Sequence, residues 1–476
     1  MDKLLFTNGE WLAGEGGERP ILDPGSGATI GSFSQASDAQ IDAALASVQE
    51  GFRTWSAMGA LERGDILRRA AANLRAGVDE IAHLLTEEQG KPLAQARGEV
   101  GVAAEIIEWC AEEGRRVYGT IIPSRQSSVR HVVAPQPVGP VLAMAAWNFP
   151  LFICARKLGD ALAAGCSVLL KPAEEAPRSP ARLVKAFEDA GLPKGVIALL
   201  YGDPPTISAR CIASPVIKKI TFTGSTPVGR ILLRQAAEGL KPATMELGGH
   251  APVLVFDDVD PDAVAGVAAP VKFRNSGQVC SSPTRFYVHE RAYEPFVDSF
   301  VRRARALRVG HGLDAETEMG PLISARRVEA MERLVRDAVD RGSRLLCGGE
   351  RLGTSGNFFA PTVLVDVPQD ALIMQEEPFG PIVPIAKFSD LEDGIRLAND
   401  NPYGLTGYAF TSSLATERAV ADRLDVGVIA INHLVAAAPE VPFGGVKESG
   451  LGSEGGEEGV RSFLHNKYVT TALPQI

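Results

Sequence analysis

From about residue 140 onward the chain is a series of short apolar runs separated by helical stretches, and this alternation constrains the fold more than any other feature. Val141 to Ala145, Ser167 to Leu170, Val196 to Leu200, Lys219 to Thr223 and Pro252 to Phe256 are each long enough only for a buried strand. Apolar strands joined by helices assemble into a parallel sheet covered on both faces. A second series runs from about Ala251 to Asn432 and includes Arg285 to His289, a helix near Tyr293 to Leu307 and the strand Pro384 to Phe388. Two such series predict two α/β domains. The length of 476 residues agrees, because a single core stops growing at roughly 250 to 300 residues.

The first hundred residues read as helices. Ser37 and Gln40 form a capping-box pattern ahead of Ile41, Leu45, Val48 and Phe52 at helical spacing, and a second amphipathic segment follows through Ile66, Leu67, Leu74, Ile81 and Leu85. Between these helices and the first strand series, Thr120 to Gln136 alternates Ser, Arg and Gln with Ile and Val, as an exposed two-stranded arm would. The tail Lys467 to Thr471 is also strand-like. Two exposed edges need cover, and pairing with further copies of the chain predicts a homodimer or homotetramer.

A net charge of −10 and an acidic pI argue against neutralising nucleic-acid phosphates. The opening Met1 to Phe6 is too short an apolar stretch for a secretory signal, and Val138 to Ala155 is broken by Pro140, Asn148 and Pro150. No transmembrane helix is expected, and a cytoplasmic location follows. Cys110, Cys154, Cys166, Cys211, Cys280 and Cys347 show no CxxC pairing, so neither a disulfide framework nor a metal site is predicted.

Four windows carry the chemistry. Cys280 lies among small and polar residues, Asn275 to Ser282, in a predicted loop where a reachable thiolate could be stabilised by nearby dipoles. Glu246 ends an apolar stretch just before Gly248-Gly249 and could act as a general base if burial raises its pKa. Gly224-Ser225 follow the strand Lys219 to Thr223 and open a helix, a place where free N–H groups suit a pyrophosphate or, more simply, where Ser225 caps the helix. Lys171 and Glu174 follow the second strand, where an acid hydrogen-bonds an adenine ribose and repels a 2′-phosphate, favouring NAD over NADP.

Together, Trp147-Asn148-Phe149-Pro150, Lys171 to Glu174, Gly224 to Gly229, Glu246 to Gly249, Gly277 to Cys280, Glu377-Pro378-Phe379-Gly380 and Pro442 to Gly445 resemble, in order, the motifs of the aldehyde dehydrogenase superfamily. The resemblance spans nearly the whole chain. It implies a Rossmann-like cofactor domain (residues 1–118 and 138–249) and a catalytic α/β domain (250–460), both doubly wound. A small β oligomerisation arm would comprise 119–137 and 461–476.

The resemblance also implies roles. Cys280 is similar to the family's nucleophile, Glu246 to its general base, Asn148 to its oxyanion donor and Lys157 to a lysine near the site. Trp147, Lys171, Glu174, Gly224, Ser225, Glu377 and Phe379 resemble its cofactor contacts. Arg156 and Arg274 match arginines that hold a distal carboxylate in the succinate-semialdehyde branch, and Phe443 falls near the substrate entrance. Where that branch has a serine, this chain reads Val435-Ala436-Ala437-Ala438-Pro439, which leaves room for a larger or more apolar aldehyde. The expected reaction is NAD-dependent oxidation of an acid-bearing aldehyde, such as succinate semialdehyde, through a Cys280 thioester. The alternatives are a dehydrogenase of neutral aliphatic or aromatic aldehydes and a non-catalytic homologue.

Overall fold

The computed structural model describes residues 3–472, so the outermost ends of the predicted first segment (1–2) and arm (473–476) lie outside the described residues. Its centre is two sheets. In the first, Val141–Met144 lies between Val168–Lys171 on one side and Lys219–Thr223 on the other, all parallel. Ile197–Leu199 extends the first flank and Ala243–Glu246 the second. Strand order thus reverses between Val141–Met144 and Lys219–Thr223, the crevice position at which open α/β sheets bind ligands.

In the second sheet Ala251–Val255 lies parallel between Pro283–His289 and Thr406–Phe410. Pro252 to Phe256 therefore begins this sheet and does not extend the first. Its central strands are buried on both faces. Val253 and Val255 enter one core with Phe286 and Ile385, while Leu254 enters another with Tyr287 and Leu364.

The capping box forms as expected: the Ser37 hydroxyl accepts from the Gln40 N–H and the Gln40 side chain accepts from the Ser37 N–H, opening Asp38–Ala57. Trp55 on this helix is fully buried, and its indole N–H donates to the Leu162 carbonyl at 2.9 Å. The second amphipathic segment is two helices, Ala60–Ala76 and Val78–Gln89, because Gly77 ends the first and its N–H turns back to Asn73.

The chain does not open with helices. Leu5–Thr7 and Glu10–Leu12 form a hairpin on the edge of the first sheet, and Glu18–Leu22 pairs with Thr29–Ser34. The hairpin's two loop residues, Asn8 and Gly9, both have positive φ (53° and 78°), the turn whose twist matches that of the strands it joins.

Thr120–Ile122, Val129–Pro137 and Leu464–Ala472 form a three-stranded antiparallel sheet, so the arm and tail segments pair with each other. Tyr118, Ile121, Tyr468 and Val469 are exposed there. Among the described residues no helix is long and apolar enough to cross a membrane.

Candidate active site

The first sheet presents the carboxyl ends of its strands to the site. Met144 leads to Trp147 and Asn148, Lys171 to Glu174, Thr223 to Gly224 and Ser225, and Ala243–Glu246 ends on the candidate base. The second sheet presents the opposite ends: Cys280 precedes Pro283–His289, and Glu377 and Phe379 precede Ile382–Phe388. The site therefore sits where strands leave one sheet and enter the other.

The Cys280 loop is held rigidly. Asn275, Ser276 and Gly277 are consecutive left-handed residues with φ of 49°, 56° and 73°, a costly conformation for the first two. Side chains fix it in place: the Ser276 hydroxyl donates to the Gly320 carbonyl at 2.7 Å, and the Tyr408 hydroxyl donates to the Ser281 carbonyl at 2.6 Å. Gly249 packs so closely that a Cβ there would collide with the Cys280 carbonyl. Residues 275 and 276 thus do structural work that the sequence did not disclose.

Cys280 is half-buried, and its environment differs from the expected one. Burial, with Glu377 and Glu246 nearby, pushes the thiol up to about 12, outweighing the local backbone N–H groups. The anticipated dipolar stabilisation is present but smaller than desolvation and two carboxylates. Glu377 and Glu246 both lie near enough to the thiol to raise its pKa.

Glu246 is buried and neither carboxylate oxygen has a hydrogen-bond partner. Burial first, then Glu454, raises its pKa well above the carboxylate range, while Lys157 and Arg156 pull the other way. An unpartnered buried carboxylate is costly, so this group is poised to take up a proton. Lys157 is fully buried, donates to the Thr221 hydroxyl at 2.9 Å and pairs with Glu454. Glu454 in turn exchanges two backbone hydrogen bonds, both 2.8 Å, with half-buried Phe443. Sequence reasoning missed Glu454; its only signal is a lone acid among the glycines of Gly452 to Gly456.

Asn148 is buried, and its side-chain amide donates to the Gln278 carbonyl at 3.1 Å, two residues from Cys280. Trp147 meets Phe379 edge to face, ring centroids 5.5 Å apart. Phe379 has a φ of 46° and is braced by Arg327, which donates to its carbonyl at 3.2 Å and to that of Pro378. The Glu377 carboxylate accepts from the Gly249 N–H at 3.0 Å, and burial raises it to about 7.

At the carboxyl end of Val168–Lys171, Lys171 donates to Glu174 at 2.8 Å, and Glu174 also accepts from the Gly202 N–H at 3.3 Å. Ser225 occupies the N-cap of Thr226–Glu238, yet its side chain makes no capping bond. The simple capping explanation therefore fails for it, and its hydroxyl and the first-turn N–H groups are free to meet an anion.

Arg156 is buried in Pro150–Ala164 and makes no salt bridge among the described residues. It donates to the Ala438 carbonyl at 3.2 Å, with Nε and Nη1 unpartnered. Arg274 is exposed, its guanidinium 5.4 Å from the Phe149 ring centroid. Phe149 and Phe152 are half-buried with ring centroids 6.3 Å apart, and Arg156 lies 5.2 Å from Phe152. The two arginines thus flank a pair of aromatic rings.

A free thiol near two elevated carboxylates, an amide donor, and a helix N-terminus at a sheet switch point together suit thiol-mediated redox chemistry with a dinucleotide. The family model described as the aldehyde dehydrogenase family matches residues 11–469, and the chain belongs to that family. It is 48% identical to a putative 4-(hydroxymethyl)benzenesulfonate dehydrogenase of Comamonas testosteroni, covering 98% of this chain and 97% of that one. It is 40% identical to a glutarate-semialdehyde dehydrogenase of Pseudomonas aeruginosa, covering 98% and 96%. The crystal structure of succinate-semialdehyde dehydrogenase from Burkholderia pseudomallei superposes with a TM-score of 0.97 at 40% identity, over 99% and 98% of the chains. The chain is thus an oxidoreductase with the aldehyde dehydrogenase fold.

Proposed function

We propose that this enzyme oxidises an aldehyde bearing a distal carboxylate, such as succinate semialdehyde, to the acid, with NAD as acceptor and Cys280 as nucleophile. The observation that carries this reading is the unpartnered, buried Glu246 carboxylate, near enough to the Cys280 thiol to raise its pKa.

The Cys280 thiolate adds to the aldehyde carbon, forming the S–C bond and an oxyanion. The Asn148 side-chain amide and the Cys280 N–H stabilise that oxyanion, each donor contributing about 3 kcal/mol in comparable sites. A bound NAD would supply the acceptor for the hydride that leaves the thiohemiacetal carbon. The thioester left on Cys280 is hydrolysed by water, with Glu246 taking the water's proton and the thiolate leaving. Lys157 and Glu454 tune Glu246. A transfer of the acyl group to CoA or phosphate would have no use for such a base.

The dinucleotide fits the residues present. Ser225, Gly224 and the helix they open offer uncommitted donors for a pyrophosphate. Glu174, held by Lys171, would meet the adenine ribose and repel a 2′-phosphate, so NAD is preferred to NADP. Glu377 would hold the nicotinamide ribose, and Trp147 and Phe379 would pack beside the ring.

Arg156, with unpartnered guanidinium donors in a buried position, supports an anionic tail on the substrate, because desolvated donors left unpaired cost energy until an anion arrives. Arg274 would form the second arm of the clamp, with Phe443 at the entrance. The relatives' printed names agree in kind: glutarate and succinate semialdehydes carry a carboxylate, and the benzenesulfonate carries a sulfonate. A second reading, oxidation of aromatic or neutral aliphatic aldehydes, is favoured by the Phe149–Phe152 pair and the hydroxyl-free Val435 to Pro439 loop.

The test is NADH formation with aldehydes matched in length, with and without a terminal acid, by the parent enzyme and its Arg156→Ala and Arg274→Ala variants. Acid-bearing substrates should be preferred by about 10- to 100-fold, the range of one charge-assisted bond, and lose that advantage in the variants. An equal preference for neutral aldehydes would leave only the second reading.

The exposed arm residues Tyr118, Ile121, Tyr468 and Val469 support a homodimer or homotetramer.

A further inference from the structure

Lys91 lies in the short turn between Val78–Gln89 and Leu93–Glu113, and its side chain is completely buried. Its ammonium pairs with Glu99, donates to the Asn148 carbonyl at 2.9 Å and stands 4.0 Å from the Phe149 ring centroid. The other Glu99 oxygen accepts from the Leu151 N–H at 2.9 Å and the Phe152 N–H at 3.2 Å, amides of the first turn of Pro150–Ala164. One ion pair therefore holds the backbone on both sides of the Asn148–Pro150 segment.

The same stretch of chain holds the opposing loop. The Asn275 side chain donates to the same Asn148 carbonyl at 2.9 Å, accepts from the Gln89 side chain at 2.9 Å, and the Asn275 N–H donates to Gln95 at 2.9 Å. A buried ion pair is a poor way to gain stability, since apolar residues of similar volume commonly do as well or better. Apolar residues cannot fix one carbonyl and two amides at once. Burial pulls the Lys91 pKa down, against Glu99, which sustains its charge.

We propose that Lys91 and Glu99 are positioning residues that clamp the Asn148 segment so that its side-chain amide meets the oxygen of the reacting aldehyde. This rests on Asn148 as an oxyanion donor. Lys91 and Glu99 touch no reacting atom; they act through Asn148.

The test is a double-mutant cycle on the full chain, reading kcat, the KM for aldehyde and NAD affinity by fluorescence titration. Asn148→Ala should lower kcat by roughly 100- to 1000-fold, as the loss of one oxyanion donor does. Lys91→Met should lower it by roughly 10- to 100-fold, in the range that misplacing a reacting group produces, with NAD affinity unchanged. The double variant should be no slower than Asn148→Ala alone, because the clamp then has nothing to aim.

Multiplying effects, or a normal kcat for Lys91→Met beside an impaired Asn148→Ala, would overturn the proposal. A normal kcat for Asn148→Ala would instead sink the oxyanion reading beneath it. Should Lys91→Met fail to fold, the cycle is run with Glu99→Gln, which removes the charge and keeps a carbonyl acceptor for the helix amides.

Discussion

Lys157 and Glu454, 297 positions apart in sequence, form a buried ion pair that also takes in the Thr221 hydroxyl, and both act on Glu246. Their effects have opposite sign. Glu454 raises the Glu246 pKa by disfavouring a second negative charge, and Lys157 lowers it. Glu246 works as a base only when deprotonated, so turnover limited by thioester hydrolysis should rise with pH through its elevated pKa. Glu454→Gln should move that rise to lower pH, and Lys157→Met to higher pH. Steady-state pH profiles of the two variants check this; shifts in the same direction would contradict it.

The Cys280 thiol should be sluggish before cofactor binds. With its pKa pushed up to about 12 by burial, Glu377 and Glu246, little thiolate exists at neutral pH. Adding NAD, whose nicotinamide carries a positive charge, should speed alkylation of Cys280 by iodoacetamide by about tenfold or more, since each pKa unit is worth that factor in thiolate. Mass spectrometry of the labelled peptide gives the rate. Equal rates with and without NAD would argue that the cofactor does not approach the thiol.

Glu174→Ser should relax the cofactor preference. Removing the carboxylate that Lys171 and the Gly202 N–H hold leaves Lys171 free to meet a 2′-phosphate. The ratio of kcat/KM for NADP over NAD should rise by at least about tenfold, the size of one charge-assisted contact. An unchanged ratio would mean that Glu174 does not face the ribose.

Ser37→Ala should cost about 1 kcal/mol of stability by removing the cap from Asp38–Ala57, with kcat unchanged. Denaturant unfolding of both proteins measures it.

The central strands of the first sheet, three strands of the second and the Ser37 cap were legible in the sequence because each is written locally, in an apolar run or a three-residue spacing. The principal candidate residues stood out because their motifs sit at strand ends. The N-terminal hairpin had a signal too, Asn8-Gly9 between Phe6 and Trp11, but its strands of three residues each are too short to show a periodicity. Lys91 and Glu99 had none, and Glu454 only its place among the glycines of Gly452 to Gly456. Each is a lone charge whose meaning comes from partners brought close by folding, such as Asn148 at 57 positions from Lys91. The elevated Cys280 pKa was equally hidden, since it arises from burial and from Glu377 and Glu246 brought near by folding.

The proposed route, oxidation through a thioester on Cys280 that Glu246 hydrolyses, has a direct kinetic signature. Glu246→Gln is mixed rapidly with NAD and a saturating acid-bearing aldehyde while NADH is followed. The expected result is a burst approaching one NADH per active site, a slow steady state, an acyl adduct on Cys280 by mass spectrometry, and no burst when Cys280→Ala is added. A linear trace at the parent rate, or turnover by the Cys280→Ala variant, would contradict it.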